Sequence, residues 1–235
     1  MRKNILITGM PRSGKSTLLK KVIQNYDNKV GFVTNEVCEN KKRVGFEIET
    51  QTGQKAVLSN VNFKTNFKVS RYFVNIANLD KIIPKVSEFH NNDLLFLDEI
   101  GQMELFSEKF KQLVLKYLDS LNICIVTLSK VYNDPFTEQL KNRGDIILLE
   151  IDEETRDAKE KYIEALLKKI AKAKRYISEP DRFTIHQNEA NIATDHGIRK
   201  LMKQKEEWIC NCEFFKANSI CSHVIALEEY MITHE

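Results

Sequence analysis

The stretch that decides the fold is Gly9-Met10-Pro11-Arg12-Ser13-Gly14-Lys15-Ser16-Thr17. It fits the phosphate-binding pattern G-x-x-x-x-G-K-[ST] at every fixed position. Glycines let such a loop wrap closely round phosphate groups, and its successive backbone N–H groups point inward at the anion. The Lys15 ammonium can reach the β- and γ-phosphates of a nucleotide, and the Ser16 hydroxyl can ligate Mg²⁺. The stretch therefore predicts a nucleoside-triphosphate site, with ATP as the expected ligand.

The residues on either side supply the strand and the helix that this motif requires. A short apolar run at residues 4–8 precedes the loop, and a helical pattern at residues 18–23 follows it. The helix would turn the positive end of its dipole toward the phosphates. Beyond the helix, residues 30–34 predict a second strand, and partial alternation over residues 43–58 predicts a hairpin.

Farther along the chain, apolar runs alternate with helical patterns. The runs at residues 94–97, 123–128 and 146–151 are continuously apolar, as expected of strands buried on both faces. Helical patterns cover residues 79–89 and 106–118. Strands alternating with helices indicate a mostly parallel sheet between helical layers, which is the three-layer α/β sandwich of P-loop NTPases.

Two adjacent acids, Asp98 and Glu99, end the first of these buried strands. A carboxylate at the carboxyl edge of a parallel strand lies near the ligand crevice. Asp98 is the expected Mg²⁺ partner, directly or through water, together with Ser16. Glu99 could activate the attacking water as a general base. The predicted catalytic residues are therefore Lys15 and Glu99.

Several stretches together resemble the cancer-related nucleoside-triphosphatase family, small P-loop enzymes of archaea, bacteria and animals. One is Leu97-Asp98-Glu99-Ile100-Gly101-Gln102-Met103-Glu104-Leu105. The others lie at residues 31–37, 43–46, 142–145 and 154–157. The resemblance covers about residues 3–170. It implies slow, Mg²⁺-dependent hydrolysis of ATP and other nucleoside triphosphates.

The chain departs from the family pattern at Cys38, where the resemblance implies an arginine. If that arginine stabilises transition-state charge, this chain would turn over more slowly. Three other arginines could replace it, and the sequence does not rank them: Arg12, Arg43 and Arg143. Glu36 and Glu104 also resemble family positions, and we expect structural or supporting roles for them.

The chain changes character after a long predicted helix at residues 153–175. Glu179-Pro180-Asp181 breaks the helical pattern, so we predict a P-loop domain at residues 1–175 and a separate module at residues 176–235. The helix carries an apolar stripe formed by Ile163, Leu166, Leu167 and Ile170.

The C-terminal module contains Cys210-Asn211-Cys212 and, after eight intervening residues, Cys221-Ser222-His223. Three thiolates and one imidazole make a closed, tetrahedral Zn²⁺ set of the structural kind. The order resembles the SWIM-type zinc finger, whose ββα form would use a strand at residues 208–215 and a helix at residues 221–231. Cys124 is expected in the core, and Cys38 in a loop.

Charge and hydropathy limit the classes of binding partner and the cellular location that are expected. The chain has 235 residues and a formal net charge of +3, but residues 178–235 contain ten acidic and six basic side chains, a net charge of −4. The SWIM resemblance implies DNA or protein partners, and the acidic balance favours protein contact or folding support over nucleic acid. A basic run at residues 199–205 could contact phosphates, so nucleic acid stays an alternative partner. No apolar run is long enough for a membrane span and no signal peptide is evident, so a cytoplasmic location is expected.

Two other functions compete with hydrolysis. The same loop serves kinases that phosphorylate a nucleotide or a polynucleotide end, although no acceptor signature is evident. A nucleotide-switched binding protein with little turnover would use the loop only to control the zinc module. Phosphate release without an acceptor separates these alternatives from an NTPase.

Overall fold

The computed structural model describes residues 2–234, so Met1 and Glu235, the ends of the predicted domain ranges, lie outside the described residues. The described chain divides into two compact units, residues 3–160 and residues 161–234 with Arg2. The helix Arg156–Ile177 begins in the first unit and continues into the second. Its predicted apolar stripe is confirmed, because all four residues are buried.

The first unit contains, within the described residues, a sheet of nine strands. In chain order they are β1 (Asn4–Gly9), β2 (Lys29–Glu39), β3 (Lys42–Thr50), β4 (Lys55–Asn60), β5 (Phe67–Val69), β6 (Tyr72–Val74), β7 (Leu94–Ile100), β8 (Cys124–Ser129) and β9 (Ile146–Glu150). Its helices are α1 (Lys15–Ile23), α2 (Ile76–Val86), α3 (Glu108–Asp119) and α4 (Pro135–Lys141). The helix Arg156–Ile177 is α5.

The strands lie in the order β5-β6-β4-β3-β2-β7-β8-β1-β9. In the part of this order that reads β2-β7-β8-β1-β9, all neighbouring strands pair in parallel. This confirms the predicted α/β class with its parallel central sheet. In the part that reads β5-β6-β4-β3-β2, all neighbouring strands pair antiparallel. Within it, β3 and β4 form the predicted hairpin. The core is formed by apolar side chains of the sheet and of α2 and α3, such as Leu6, Leu95, Ile82 and Val114.

The buried apolar strands explain where the site lies. β1, β7 and β8 are buried along nearly their whole length, as continuous apolar runs in a parallel sheet should be. Because these strands are parallel, their carboxyl ends meet at one edge of the sheet. The phosphate-binding loop follows β1 there, and Asp98 and Glu99 lie near the end of β7.

The second unit differs from its predicted form. Its described strands are β10 (Phe183–His186), β11 (Glu189–Thr194), β12 (Gly197–Gln204) and β13 (Glu207–Cys210), which form an antiparallel sheet in chain order. Two helices follow, α6 (Glu213–Asn218) and α7 (Ser222–His234).

The ββα prediction is therefore wrong in two respects. The strand that carries the first cysteine pair ends at Cys210 and does not reach residue 215, because the Cys212 side chain caps a helix that begins at Glu213. Three strands also precede β13 within this unit. The helix predicted at residues 221–231 is present as α7, which begins at Ser222, and its Val224, Ile225 and Leu227 are buried as predicted. Among residues 2–234, no helix combines the length and apolarity that a membrane span requires.

Candidate functional site

The phosphate-binding loop is shaped by two glycines. A Cβ placed on Gly9 would lie 2.4 Å from the Ile151 carbonyl oxygen, so only glycine fits beside that backbone. Gly14 has φ +89°, a left-handed conformation that glycine adopts without strain. The Gly14 carbonyl then accepts a hydrogen bond of 2.8 Å from the Leu18 N–H, which begins α1. The predicted loop and helix are joined as the motif requires.

Lys15 extends back across this loop. Its side chain is almost fully buried, and Nζ donates hydrogen bonds to the carbonyl oxygens of Gly9 at 3.1 Å and Met10 at 3.4 Å. The same Nζ lies 3.6 Å from Glu99 Oε2. The ammonium is thus held between the loop and the acidic end of β7, where it can face a phosphate chain.

Asp98 is held beside Ser16. Asp98 Oδ1 accepts hydrogen bonds from Ser16 Oγ at 2.9 Å and from Thr127 Oγ1 at 2.6 Å. The side chain is 1% exposed, and among the described residues Oδ2 finds no hydrogen-bond partner. Burial raises the pKa of this carboxyl, while the hydroxyls of Thr127 and Ser16 partly oppose that shift. A buried carboxylate oxygen without a partner, beside a serine hydroxyl, fits an oxygen-ligated divalent cation.

Glu99 leaves the regular sheet ladder. The pairing of β7 with β8 is irregular between Leu97 and Ile100, and Thr34 Oγ1 donates a 2.6 Å hydrogen bond to the Asp98 carbonyl oxygen. The Glu99 side chain is half-buried. Burial raises the pKa of its carboxyl and Asp98 adds to the shift, whereas Lys15 acts in the opposite direction. A carboxylate with a raised pKa beside a phosphate site has the properties of a general base.

Glu104 is a third carboxyl in this region. It is 4% exposed and lies in a 3₁₀ turn after β7. A Cβ placed on Gly101 would lie 3.1 Å from Glu104 Oε2 and 3.2 Å from Glu99 Oε1, so the two carboxyls flank that glycine. Burial, reinforced by Glu99, raises the pKa of Glu104 to about 8. This raised pKa favours the protonated form of Glu104.

These groups line one cavity of about 550 Å³. Its wall also includes Arg12 and Arg43, whereas Arg143 is bound to Asp119 at 2.7 Å and Asp145 at 2.9 Å. The structure thus separates the three arginines that the sequence left unranked. Two of them face the cavity, and the third is held by other carboxylates.

Arg43 is the more firmly held of the two. Its Nε donates to the Tyr72 hydroxyl at 2.9 Å, its guanidinium lies 5.0 Å from the centroid of the Phe46 ring, and it forms an ion pair with Glu36. The antiparallel strands β2, β3 and β6 supply these residues. Cys38 is directly opposite Arg43 in the β2–β3 ladder. The expectation of a loop thiol at Cys38 is wrong, because this exposed cysteine lies in β2.

Comparison with known proteins identifies the family to which the first unit is related. The family model described as NTPase matches residues 4–167. The chain belongs to this NTPase family. Nucleoside-triphosphatase THEP1 of Thermotoga maritima is 41% identical over 156 residues, which cover 66% of this chain and 89% of that protein. The human cancer-related nucleoside-triphosphatase is 30% identical over 175 residues, covering 67% and 92%.

Solved structures agree with the family. The crystal structure of THEP1 from Aquifex aeolicus superposes with a TM-score of 0.64 at 31% identity, covering 70% of this chain and 98% of that one. The solution structure of the human enzyme gives a TM-score of 0.62 at 26% identity, covering 70% and 97%. The chain is therefore an enzyme, a nucleoside-triphosphatase, and its P-loop fold and nucleoside-triphosphate substrate follow from the family.

The family match ends at residue 167, and the predicted zinc ligands lie beyond it. The structure brings Cys210, Cys212, Cys221 and His223 together, with all four ligand atoms within 4.8 Å of one another. His223 Nδ1 lies 3.6 Å from the Sγ atoms of both Cys210 and Cys221. The neighbouring Cys221 thiol, and to a lesser extent the His223 imidazole, lower the pKa of the Cys210 thiol, although burial opposes the shift. The cluster is compatible with zinc.

Proposed function

We propose that this chain hydrolyses ATP and other nucleoside triphosphates to diphosphate and phosphate with bound Mg²⁺, using Lys15 and Glu99 as catalytic residues. The observation that carries the proposal is the arrangement of Asp98 and Glu99 in one cavity. Asp98 has a buried carboxylate oxygen without a partner beside Ser16, and Glu99 lies 3.6 Å from Lys15. Residues 9–17 would hold the phosphate chain through backbone N–H groups.

Ser16 and Asp98 would hold the metal. Thr127 contributes by donating a hydrogen bond to Asp98 Oδ1. This leaves Asp98 Oδ2 available for coordination. A Mg²⁺ ion held there would supply positive charge to offset the negative charge of the phosphate chain. The raised pKa of Asp98 indicates that a cation at this position would be favoured, because burial penalises an unpaired carboxylate.

Glu99 would take a proton from the water that attacks the γ-phosphorus. The new bond forms from the water oxygen, the bond to the β–γ bridging oxygen breaks, and its electron pair leaves with the diphosphate. Lys15 would neutralise charge on the β- and γ-phosphates. Arg43 would stabilise charge on the transferring group, because its guanidinium is already positioned by Tyr72 and Glu36.

Free phosphate released from ATP, without an acceptor, tests the proposal. Glu99→Gln keeps the shape of the side chain but not its basicity, so we expect at least a hundredfold loss of turnover with little change in ATP affinity. Glu108→Gln, at an exposed glutamate in α3, is the matched control and should behave as the wild type. Lys15→Ala should lose tight triphosphate binding.

The same phosphate-release assay tests the dependence on metal and distinguishes hydrolysis from the two alternative functions. Chelation of divalent metal should abolish phosphate release, and added Mg²⁺ should restore it. Unchanged turnover in Glu99→Gln would remove Glu99 as the base. Transfer of phosphate to an added nucleotide or polynucleotide, with no release in its absence, would establish a kinase. Nucleotide-dependent partner binding with negligible turnover would establish the switched binding protein.

We also propose that residues 176–235 form a structural zinc module of the SWIM kind. Four protein ligands leave no open position, so the metal would serve folding and not catalysis. Thiolate–thiolate separations round tetrahedral zinc are about 3.8 Å, and the atoms of the cluster lie within 4.8 Å of one another. The Phe215 N–H donates a 3.4 Å hydrogen bond to Cys212 Sγ, which is the kind of contact that supports a metal-bound thiolate.

The role we infer for this module is protein contact or folding support, with nucleic acid as the alternative. Its negative net charge argues against a phosphate-binding surface, and zinc with three thiolates would add another negative charge. Within its basic run, Lys203 pairs with Glu206 at 2.8 Å. Binding to single-stranded and duplex nucleic acid, measured at two salt concentrations, separates these roles.

A further inference from the structure

Arg156 lies directly against the phosphate-binding loop. A Cβ placed on Gly14 would lie 2.7 Å from Arg156 Cδ and 2.9 Å from Arg156 Nη1. Gly14 itself lines the cavity that contains Lys15 and Asp98. The first residue of α5 therefore brings a guanidinium to the glycine that precedes the catalytic lysine.

The fold delivers Arg156 to this position by a short, hydrogen-bonded connection. β9 pairs in parallel with β1, and the Ile151 N–H continues that ladder with a 2.8 Å hydrogen bond to the Thr8 carbonyl oxygen. Asp152 Oδ1 then accepts hydrogen bonds from the backbone N–H and the hydroxyl of Thr155, both at 2.7 Å. This turn begins α5, so the placement of Arg156 is fixed by backbone contacts with the strand that carries the loop.

The charge of Arg156 is only weakly compensated. Its Nε lies 3.3 Å from Asp157 Oδ1, a long contact with a carboxylate that is 75% exposed. A guanidinium carries five N–H donors in a planar fork, and phosphate oxygens match that geometry. Solvent screens an exposed ion pair strongly. The guanidinium consequently keeps most of its capacity to bind a second anion.

We propose that Arg156 is a further nucleotide-positioning residue, whose guanidinium contacts the phosphate chain of the bound triphosphate. The proposal rests on nucleotide binding at residues 9–17 and adds a cation from outside the motif. Lys15 approaches the phosphates from within the loop, and Arg156 would approach them from the turn after β9. The two cations would then hold the phosphate chain between them, which favours the fixed geometry that in-line attack needs.

The test compares ATP with inorganic tripolyphosphate, which has the phosphates but no base or ribose. Arg156→Ala should weaken the binding of both ligands by about tenfold or more, the value of a charge-assisted hydrogen bond. Arg156→Lys should recover part of the loss, because a lysine keeps the charge but not the fork. Turnover at saturating ATP should change less than KM.

Lys168→Ala removes an exposed cation from the same helix and is the matched control. Weaker ATP binding with unchanged tripolyphosphate binding would overturn the proposal in favour of a base or ribose contact. Unchanged binding of both ligands with a lower unfolding temperature would reduce Arg156 to a structural residue. Failure of the wild type to bind either ligand would instead refute the nucleotide site itself, so the two failures are distinguishable.

Discussion

The two units of this chain hold their polar functional groups in different ways. In the first unit the chain itself satisfies most of them, because Lys15 binds loop carbonyl oxygens and Asp98 Oδ1 accepts hydrogen bonds from Ser16 and Thr127, which leaves Asp98 Oδ2 as the oxygen for a cation. In the second unit the groups that carry the proposed function face mainly one another. The imidazole of His223 lies 3.6 Å from two thiol sulfurs.

This difference has a physical consequence for stability. The large sheet of the first unit buries an extensive apolar core, which stabilises the loop independently of any ligand. The second unit is much smaller, and domains of its size commonly need a metal or disulfides. In such a module the zinc site forms only in the folded state, so the free energy of zinc binding stabilises the fold. The first unit should therefore stay folded without the proposed Mg²⁺, whereas the second should not stay folded without the proposed zinc.

The largest expected effect follows from removing zinc. Cys210→Ser replaces a thiolate ligand with a hydroxyl, and we expect loss of the one zinc ion per chain and unfolding of the second unit, because structural zinc contributes about 10 kcal/mol or more in small modules. Elemental analysis gives the zinc content. Limited proteolysis should then cleave within residues 183–234, while the unit of residues 3–160 stays intact.

Cys38→Ser changes an exposed cysteine of the first unit and should leave the zinc content at one per chain. Hydrolysis by Cys210→Ser should continue if the first unit is stable without the second. Intact wild-type protein without zinc would remove the metal module from the proposal. Protection of residues 183–234 in Cys210→Ser would show that apolar packing alone supports that unit.

The first unit was predictable from sequence because its signals are local. The phosphate-binding loop depends on glycines at fixed positions, and β7 and β8 are runs whose apolar character is continuous. The hairpin of β3 and β4 carries alternation and a glycine turn at Gly53, which has φ +77°. These features are determined by neighbouring residues, and a single sequence displays them.

What the sequence did not reveal depends on contacts between distant residues or on unusual turns. The hairpin between β12 and β13 turns through Lys205 and Glu206, both at positive φ, where asparagine or glycine is the usual signal. β5 and β6 are three residues each, too short for alternation to be recognised. Arg156 belongs to a stretch that resembles the family, but nothing local places it beside Gly14, because that proximity follows from the parallel pairing of β9 with β1.

A second prediction concerns the two arginines of the cavity. Arg43→Ala should lower turnover by about a hundredfold, which corresponds to about 2.7 kcal/mol of transition-state stabilisation, with a smaller change in KM. Arg43→Lys should not restore turnover, because a lysine cannot reproduce the planar contacts with Tyr72 and Phe46. Steady-state phosphate release measures both variants.

Arg12→Ala is the informative comparison, since Arg12 is an exposed loop residue that lines the same cavity. We expect a loss of less than about fivefold, because exposed charges are screened by solvent. A larger loss in Arg12→Ala than in Arg43→Ala would assign the charge-stabilising role to the loop arginine. It would also show that the contacts which position Arg43 serve the sheet and not the reaction.

An effect smaller than that of Arg43→Ala is expected at the buried acid of the first unit. Burial and the neighbouring Glu99 raise the pKa of Glu104 to about 8, so the folded state binds a proton that the unfolded state releases near pH 4.5. The stabilisation is complete below the unfolded pKa and is lost as pH rises toward 8. Between pH 6 and pH 8 the free energy of unfolding should fall by about 2 kcal/mol from this group alone.

Glu104→Gln removes this dependence, because an amide keeps the shape of the protonated acid and does not titrate. Its free energy of unfolding, measured with denaturant in the absence of nucleotide and metal, should vary less between pH 6 and pH 8 than that of the wild type. Asp98 and Glu99 also have raised pKa values and are present in both proteins, so the difference between the two curves reports Glu104 together with its coupling to these two carboxyls. Parallel curves would mean that Glu104 does not gain a proton on folding, and that burial does not raise its pKa as proposed.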